Sequence, residues 1–284
     1  MRVVVTGAGG QLGHDVVLAC RAAGDDVHGF DRHALDVTSR DAFLGAVTAL
    51  RPDAVIHTAA WTAVDACESD SLRAFTANAL AVRWAAEACR ASGAHLVHVS
   101  TDYVFDGAKT EPYHEWDVPN PRSVYGRSKL AGEREAIGAG IGAAVVRTSW
   151  VCGEAGTNMV KTILRLAAER PTLSFVADQV GHPTFTADLA PHLRRLAVDR
   201  RSGLHHLTNS GAVSWYEFAR EVVAAAGRDP GMVTPITTAD LQPPRPAPRP
   251  ANSRLDNAVA RLAGLPPMPD FRQPLADLVH RLTS

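Results

Sequence analysis

A glycine-rich turn near the start of the chain constrains its fold more than any other feature. It reads Gly7-Ala8-Gly9-Gly10-Gln11-Leu12-Gly13, after a strand-like run from Arg2 to Thr6 and at the start of a helical pattern that continues to Ala23. At this spacing, side chains on the glycines would block the tight turn, the approach of the backbone to a pyrophosphate, and the packing of helix on strand. The free N–H groups of the first helical turn would face the phosphates. The turn therefore predicts a dinucleotide site that includes Gly7, Gly10 and Gly13.

The rest of the first half repeats the strand–helix alternation. Continuous apolar runs lie at Val27–Phe30, Ala54–Thr58, His95–Ser100 and Ala143–Thr148, and a long helical pattern covers about Ser71 to Ala91. Strands that are apolar along their whole length are typical of parallel sheets covered by helices on both faces. We therefore predict an α/β fold of the Rossmann type, with a doubly wound parallel sheet.

The regular alternation weakens beyond Val151. A segment with five prolines, from Gln242 to Pro250, must be extended or turn-like. We expect residues 1–150 to form a dinucleotide-binding Rossmann domain that also carries the catalytic residues. Residues 151–284 are expected to form mainly a smaller substrate-binding portion, and the chain can interleave between the two.

An acidic residue closes the second predicted strand. Asp31 lies 18 residues after Gly13, where a carboxylate can bond the adenosine ribose of a dinucleotide. A carboxylate there favours NAD, because it repels a 2′-phosphate, but Arg32 follows immediately and could hold that phosphate. Asp36 and Val37 could cover the adenine. The choice between NAD and NADP stays open on these residues.

A tyrosine and a lysine share one face of a later helical pattern. Tyr125 and Lys129 are four residues apart, in a chain that has only four tyrosines and three lysines. An ammonium beside a phenol stabilises the phenolate, so we expect Lys129 to lower the Tyr125 pKa from its usual value of about 10. Tyr125 would then be a usable acid near neutral pH.

Hydroxyl groups end the fourth predicted strand. Ser100, Thr101 and Asp102 fall at the carboxyl edge of the sheet, where open α/β folds bind ligands. Because neighbouring side chains of a strand point to opposite faces, only one of Ser100 and Thr101 can face a substrate.

The charge and cysteine content exclude several classes of partner. Lysine and arginine number 29 against 30 acidic residues, so no strong field favours nucleic acid or an anionic membrane. The four cysteines have no zinc-binding spacing, and we predict no metal site. No apolar run is long enough for a membrane span, and the N-terminal run breaks into glycines as a buried strand does. We expect a cytoplasmic protein with a small-molecule substrate.

Several longer motifs carry a family resemblance. They are AAWTAVDACE from Ala59 to Glu68, STDYVFDG from Ser100 to Gly107, YGRSKLAGE from Tyr125 to Glu133, RTSWV from Arg147 to Val151, and DQVGHPT from Asp178 to Thr184. RPANSRL, from Arg249 to Leu255, adds a late match. Together with the glycine-rich turn, these motifs resemble the extended short-chain dehydrogenase/reductase family and, within it, the dTDP-4-dehydrorhamnose reductases. The resemblance spans nearly the whole chain.

The resemblance implies an NADPH-dependent enzyme, with NADH as the alternative cofactor, that reduces the C4 keto group of a dTDP-4-keto-6-deoxy sugar. The first choice of substrate is dTDP-4-dehydro-β-L-rhamnose, and a homodimer is expected. Tyr125, Lys129 and Thr101 would be catalytic; Thr101, Asp102, Tyr125 and Trp150 would contact the sugar. The cofactor would contact Gly10, Gln11 and Leu12 at its pyrophosphate, Asp31, Asp36 and Val37 at its adenosine, and Ala59, Ala60 and Trp61 beyond them, together with Tyr125 and Lys129.

Some readings remain open. Trp61 stands where this family often has tyrosine, a difference without an interpretation. Cys152 stands where the family favours tyrosine, which leaves room for a sister deoxysugar ketoreductase of secondary metabolism. A third hypothesis is a non-catalytic subunit that resembles the partner of methionine adenosyltransferase. The intact set of Thr101, Tyr125 and Lys129 argues against it. Lys161 is a secondary candidate for the substrate phosphates. Arg245 and Arg249 could neutralise a nucleotide diphosphate or be solvated linker charges.

Overall fold

A six-stranded parallel sheet forms the centre of the molecule in the computed structural model, which describes residues 1–284. Its order is β10-β5-β4-β3-β1-β2, with all neighbouring strands parallel. This confirms the predicted doubly wound Rossmann-type sheet. The strands of the chain are β1 (Arg2–Thr6), β2 (Asp26–Phe30), β3 (Ala54–His57), β4 (His95–Thr101), β5 (Ala144–Thr148), β6 (Val151–Cys152), β7 (Leu173–Val176), β8 (Val180–Gly181), β9 (Thr184–Phe185), β10 (Gly203–His206), β11 (Val213–Ser214) and β12 (Val233–Ile236).

Helices cover the sheet and build most of the remaining structure. They are α1 (Gln11–Ala22), α2 (Arg40–Leu50), α3 (Val64–Ser69), α4 (Ser71–Phe75), α5 (Ala81–Ser92), α6 (Val124–Gly138), α7 (Met159–Glu169), α8 (Thr186–Val198), α9 (Trp215–Ala225), α10 (Ala258–Leu262) and α11 (Arg272–Thr283). The one long helix that we predicted over 71–91 is interrupted: a π-helical turn, Thr76–Leu80, separates α4 from α5.

The apolar strands bury both of their faces. Val3 and Val5 on β1 join a core with α1 and α8, to which Val16 and Leu193 contribute. Val4, between them, points to the opposite face and a second core beneath α2, α5 and α6. This alternation explains why the strand sequences are continuously apolar.

The C-terminal half of the chain contributes both to a separate core and to the central sheet. A third core joins α7, α9 and α11 around Phe218 and Phe271. Helix α8 and strand β10, however, pack on or extend the central sheet. The sheet is therefore not confined to residues 1–150, because the chain returns to it after residue 185.

The carboxyl ends of the central strands meet at one edge of the sheet. Thr6 is the register partner of His57, and Thr101 is the partner of Thr148. The glycine-rich turn and the STDYVFDG motif therefore open on the same side. No helix combines the length and the apolar character that crossing a membrane requires.

Candidate active site

The glycine-rich turn forms a tight backbone cradle. Gly7 has φ = 74°, and a Cβ at this position would lie 2.7 Å from the Ala59 nitrogen. A Cβ on Gly13 would lie 2.1 Å from the Gly7 carbonyl oxygen. Gly10 caps α1 without a side-chain acceptor, so the first-turn N–H groups are open to an anion. The cradle therefore fits the pyrophosphate of a dinucleotide.

A cleft of about 970 Å³ extends from this cradle along the sheet edge. Its size is in the range of a cofactor site. Leu12 and Gly13 lie buried beneath the turn. An arginine that the sequence analysis missed, Arg73, also lines the cleft, with its guanidinium carbon 4.4 Å from the centre of the Trp61 ring. The cleft wall includes the predicted residues Gly7, Gly10, Asp31, Arg32, Asp36, Val37, Ala59, Ala60 and Trp61.

Asp31 is held in the turn after β2. Its Oδ1 accepts hydrogen bonds from the backbone N–H groups of Ala34 and His33, each at 2.9 Å, and these bonds keep the pKa of the carboxyl below its usual value. The Arg32 side chain is exposed beside it at the cleft. Asp31 is thus held by the backbone, whereas the exposed Arg32 makes one side-chain contact, from its Nε to His33 Nε2 at 3.4 Å.

A loop from the C-terminal half lies against the glycine-rich turn, and the sequence analysis did not find it. The Asn158 side-chain amide donates to Gln11 Oε1 at 3.0 Å and to the Gly153 carbonyl at 2.6 Å. Lys161 donates to the carbonyls of Glu154 and Gly156, the latter at 2.9 Å. Lys161 therefore braces this loop, residues 153–158, and its ammonium is engaged by backbone rather than directed at a substrate.

The two hydroxyls at the end of β4 point to different surroundings, as the alternation predicts. Ser100 donates to Glu133 Oε1 at 2.6 Å in the interior. Thr101 donates to Asp102 Oδ1 at 2.9 Å and accepts from the Tyr103 N–H at 3.3 Å, and the Tyr103 ring meets the Tyr125 ring edge-on with 5.6 Å between centres. Thr101, and not Ser100, therefore lies with the tyrosine.

Tyr125 and Lys129 lie in the first two turns of α6, whose N-terminus is capped by Ser123. Both are buried, with exposed fractions of 8% and 2%. We expected the ammonium to lower the Tyr125 pKa. Instead, burial raises the Tyr125 pKa above its usual value, partly offset by the Thr101 hydroxyl. Burial also lowers the pKa of Lys129 to about 8, and its Nζ donates to the Val99 carbonyl at 2.7 Å.

Asp102 is a buried carboxyl group with one unused oxygen. The residue is 2% exposed, and its Oδ2 has no hydrogen-bond partner. Burial raises its pKa to about 6, against the lowering effect of the Ser253 and Thr101 hydroxyls. A buried oxygen without a donor is costly, so Oδ2 is available to a polar ligand group.

Trp150 belongs to an aromatic stack. Its indole lies 3.6 Å from that of Trp215, centre to centre, with 8° between the planes. Trp150 has φ = 45°, a left-handed conformation that is costly for a bulky residue. A Cβ on Gly181 would lie 2.7 Å from both the Trp150 indole and Ser253 Oγ. Trp150 and Ser253 therefore both pack closely against Gly181.

The structure thus brings Thr101, Asp102 and Tyr125 together at the open sheet edge, near the dinucleotide-sized cleft. Lys129 lies beneath them, and Trp150 stacks on Trp215 beside Gly181. No group of three histidine, cysteine or acidic side chains is arranged to hold a metal ion.

Comparison with known proteins gives consistent matches over the full chain. Residues 1–284 match the family described as the RmlD substrate binding domain. A probable dTDP-4,6-dihydroxy-2-methyloxan-3-one 4-ketoreductase of Streptomyces antibioticus is 42% identical, over 98% of this chain and 94% of that protein. A dTDP-4-dehydrorhamnose reductase of Mycobacterium tuberculosis is 43% identical, over 97% and 91%. A crystal structure of dTDP-4-dehydrorhamnose reductase from Bacillus anthracis in complex with NADP is 38% identical, with a TM-score of 0.94 over 99% of each chain.

Proposed function

The chain belongs to the RmlD substrate-binding-domain family, and we propose that it is an NADPH-dependent reductase of the C4 keto group of a dTDP-4-keto-6-deoxy sugar. The preferred substrate is dTDP-4-dehydro-β-L-rhamnose, which would yield dTDP-L-rhamnose. The observation that carries the proposal is the meeting of Tyr125, Thr101 and Asp102 beside the glycine-lined cleft.

NADPH, which supplies the hydride when bound, is the proposed cofactor, and the NADP complex of the Bacillus anthracis relative supports it. Gly7, Gly10 and Gly13 shape the cradle for its pyrophosphate, and the backbone at Gln11 and Leu12 offers it free N–H groups. Asp31, Arg32, Asp36 and Val37 would hold the adenosine end, and Ala59, Ala60 and Trp61 would line the path towards Tyr125 and Lys129.

Tyr125 is the proposed acid of the reaction. As the substrate carbonyl is reduced, its oxygen gains negative charge and requires a proton. Because burial raises the Tyr125 pKa, the phenol is protonated at neutral pH and can donate that proton. Thr101, which lies beside Tyr125, would polarise the same oxygen. Lys129, with a pKa of about 8, is cationic at neutral pH and would stabilise the phenolate that remains.

The sugar side of the site would include residues that follow β4 and β5. Asp102 Oδ2 would accept a hydrogen bond from a sugar hydroxyl, since no protein donor uses it. Trp150 would present apolar ring surface to the deoxy sugar, although one face of its indole is covered by Trp215.

A homodimer in the cytoplasm completes the proposal. The four cysteines are unpaired and buried, which agrees with a reducing compartment. Light scattering on the purified protein tests whether it is a dimer. The mass of a monomer would contradict the proposed dimer.

A sister deoxysugar ketoreductase is the second candidate. The Streptomyces antibioticus ketoreductase is as similar as the Mycobacterium tuberculosis reductase, and Cys152 departs from the tyrosine that the rhamnose family favours. The two candidate activities differ in the sugar and in the configuration of the product, and Tyr125 would be the proton donor in both.

The deciding experiment follows oxidation of NADPH, and separately of NADH, with enzymatically prepared dTDP-4-dehydro-β-L-rhamnose. The expected result is oxidation with NADPH, and NMR of the product identifies the C4 configuration. Oxidation only with a different dTDP-keto sugar would favour the sister activity. Absence of oxidation with every such sugar, together with co-purification of a larger synthetase, would favour the non-catalytic subunit.

A further inference from the structure

A buried ion pair joins α6 to the central sheet. Glu133 on α6 and Arg147 on β5 are each 2% exposed. Arg147 Nε donates to Glu133 Oε1 at 2.9 Å, and Arg147 Nη2 donates to Glu133 Oε2 at 2.7 Å. A two-pronged contact of this kind is strong and directional. Because an apolar pair of similar volume often stabilises an interior as well as a buried ion pair does, stability alone does not account for these two charges.

The guanidinium group of Arg147 is fixed by further contacts. Its Nη1 donates to His206 Nε2 at 3.4 Å, and the other ring nitrogen of His206 donates to the Asp256 carbonyl at 3.1 Å. The guanidinium carbon also lies 5.0 Å from the centre of the Phe105 ring. Arg147 therefore presents its two N–H groups to Glu133 in one orientation.

Helix α6 is tied to two consecutive residues of β4. Ser100 Oγ donates to Glu133 Oε1 at 2.6 Å. One helical turn earlier, Lys129 Nζ donates to the Val99 carbonyl at 2.7 Å. Tyr125 lies on the same face of the helix, one further turn towards its N-terminus. The helix therefore cannot slide or rotate on β4 without breaking these bonds.

The end of β4 continues directly into the proposed site. Thr101 is its last residue, and the short turn 102–104 that follows contacts the first turn of α6, since a Cβ on Gly126 would lie 2.2 Å from the Tyr103 carbonyl oxygen. The Tyr103 N–H donates to Thr101 Oγ1 at 3.3 Å, and the Tyr103 ring lies 5.6 Å from the Tyr125 ring, centre to centre. The seat of α6 on β4 thus sets where the phenol stands relative to the threonine hydroxyl.

We propose that Glu133, anchored by Arg147, is a positioning residue for the proton-transfer step. It fixes the face of α6 that carries Tyr125 and Lys129 against the end of β4 that carries Thr101. This role rests on the proposed function, and Glu133 itself touches no reacting atom. Its effect falls on turnover rather than on affinity, because the geometry of proton transfer is sensitive to displacements of about an ångström.

The charge of Glu133 also acts on Lys129. Burial lowers the Lys129 pKa to about 8, and the Glu133 carboxylate opposes that lowering. The other groups around them are Arg147 on β5, which is paired with Glu133, and two histidines, His57 on β3 and His98 on β4. Burial lowers the pKa of both histidines, so they carry no charge at neutral pH. Glu133 therefore helps to keep Lys129 cationic.

The test compares Glu133→Gln with the double variant Glu133→Met/Arg147→Met in the full-length protein. Glu133→Gln keeps the shape of the side chain and removes its charge. The double variant removes both charges and leaves neither of them buried alone, so its fold should be retained. We expect each variant to lower kcat about 10- to 100-fold, with KM for the keto sugar and Kd for NADPH nearly unchanged.

A second readout needs no substrate. The chain has only three lysines, so isotope labelling of lysine gives few side-chain NMR signals, and replacement of Lys109 and Lys161 by arginine assigns the signal of Lys129. In the wild type this signal is expected to titrate with a pKa of about 8. In Glu133→Gln it should titrate at lower pH, because the neighbouring anion is gone. The alkaline limb of the kcat profile should move in the same direction.

The same helix offers a matched control. Arg83 on α5 donates to both carboxylate oxygens of Glu135 on α6, at 2.8 and 2.6 Å, but this pair lies at the surface and does not touch β4. Glu135→Gln and Arg83→Met/Glu135→Met remove the same kind of contact. They are expected to leave kcat, KM and the Lys129 titration unchanged.

Four results would overturn the inference. They are a wild-type kcat in either folded variant, a raised KM with normal kcat, an unmoved Tyr125 ring in a crystal structure of the double variant, and a Lys129 titration that Glu133→Gln does not change. If neither variant folds, Ser100→Ala decides, because it cuts the link from the carboxylate to β4 and leaves the ion pair intact. Loss of that hydrogen bond should lower kcat about two- to tenfold, and a wild-type kcat would refute the role.

Failure of the proposed function gives a different result. It appears as inactivity of the wild type towards every keto sugar. The Lys129 titration and the position of the Tyr125 ring need no substrate, so they then decide whether Glu133 positions this face of α6.

Discussion

Asn158 donates a hydrogen bond to the side chain of Gln11 at 3.0 Å, although the two residues are 147 positions apart. The contact seats the 153–158 loop on the glycine-rich turn, where Gly156 also comes close to the Gln11 side chain. A segment of the C-terminal half therefore helps to form the cofactor side of the site.

Replacement of Asn158 by serine tests this contact. Serine keeps an oxygen that can cap α7, as Asn158 does for the Lys161 N–H, but it cannot reach Gln11. A hydrogen bond contributes about 0.5–1.5 kcal/mol, so we expect the Kd for NADPH to rise about two- to tenfold with little change in thermal stability. Titration of NADPH fluorescence measures the Kd. An unchanged Kd would show that the loop does not support the cofactor.

Tyr125→Phe removes the proposed acid and little else. Loss of a positioned acid lowers turnover by about 10²–10⁴-fold, and we expect kcat to fall within that range while NADPH affinity stays close to that of the wild type. The measurement is steady-state kinetics with the dTDP-keto sugar beside direct cofactor titration. Reduction of the sugar at the normal rate would mean that another group supplies the proton.

Asp102→Asn has a pH-dependent effect on stability. Burial raises the pKa of Asp102 from 3.8 to about 6, so between these pH values the folded protein binds a proton more strongly than the unfolded chain. The free energy of unfolding therefore falls as pH rises from about 4 to 6, by up to about 3 kcal/mol, and is constant above. Asparagine does not titrate, so the variant should gain stability relative to wild type between pH 4 and pH 7. Urea unfolding of the variant and the wild type at pH 4 and at pH 7 measures the difference in stability. An equal difference at the two pH values would contradict the prediction.

Gly13→Ala is expected to disrupt the cradle. The new Cβ would lie 2.1 Å from the Gly7 carbonyl oxygen, which is backbone and cannot move without opening the turn. We expect a loss of about 1–3 kcal/mol in the free energy of unfolding and loss of NADPH binding. Gly45→Ala is the matched control, because nothing lies within 4 Å of its new Cβ on α2 and helix propensity alone should stabilise by about 0.5–1 kcal/mol. Chemical denaturation compares the two, and a stable, NADPH-binding Gly13→Ala would refute the role of the close approach.

Arg32→Ala tests cofactor choice. Asp31 is tied to the backbone N–H groups of Ala34 and His33, whereas the exposed Arg32, whose Nε donates to His33 Nε2 at 3.4 Å, is the residue proposed to bind a 2′-phosphate. Loss of a charged hydrogen bond of about 1.5–3 kcal/mol should raise KM for NADPH tenfold or more and leave KM for NADH unchanged. Arg21→Ala, on the exposed end of α1, controls for loss of charge. Equal changes with both cofactors would exclude Arg32 from the phosphate site.

Local patterns were enough to predict much of the fold. The strand Arg2–Thr6 has the predicted bounds, and α1 ends at Ala22, one residue before the predicted Ala23. The glycine-rich turn and the shared helix face of Tyr125 and Lys129 could also be predicted, because each depends on the spacing of residues close together in the sequence. The sequence pattern did not indicate the π-helical turn at Thr76–Leu80, which lies between α4 and α5 with helical backbone on both sides.

What the sequence by itself determined is the Rossmann-type sheet, the glycine cradle and the identity of the residues at the sheet edge. These features depend on periodicity and turn chemistry, which act over short stretches of chain. Only the tertiary structure decided that α8 and β10 return to the sheet, that Asn158 reaches Gln11, and that Asp65 holds Arg249. It also decided that burial, rather than the lysine, dominates the Tyr125 pKa. Contacts across 147 or 184 residues, and the desolvation of a side chain, exist only after the chain has closed around them.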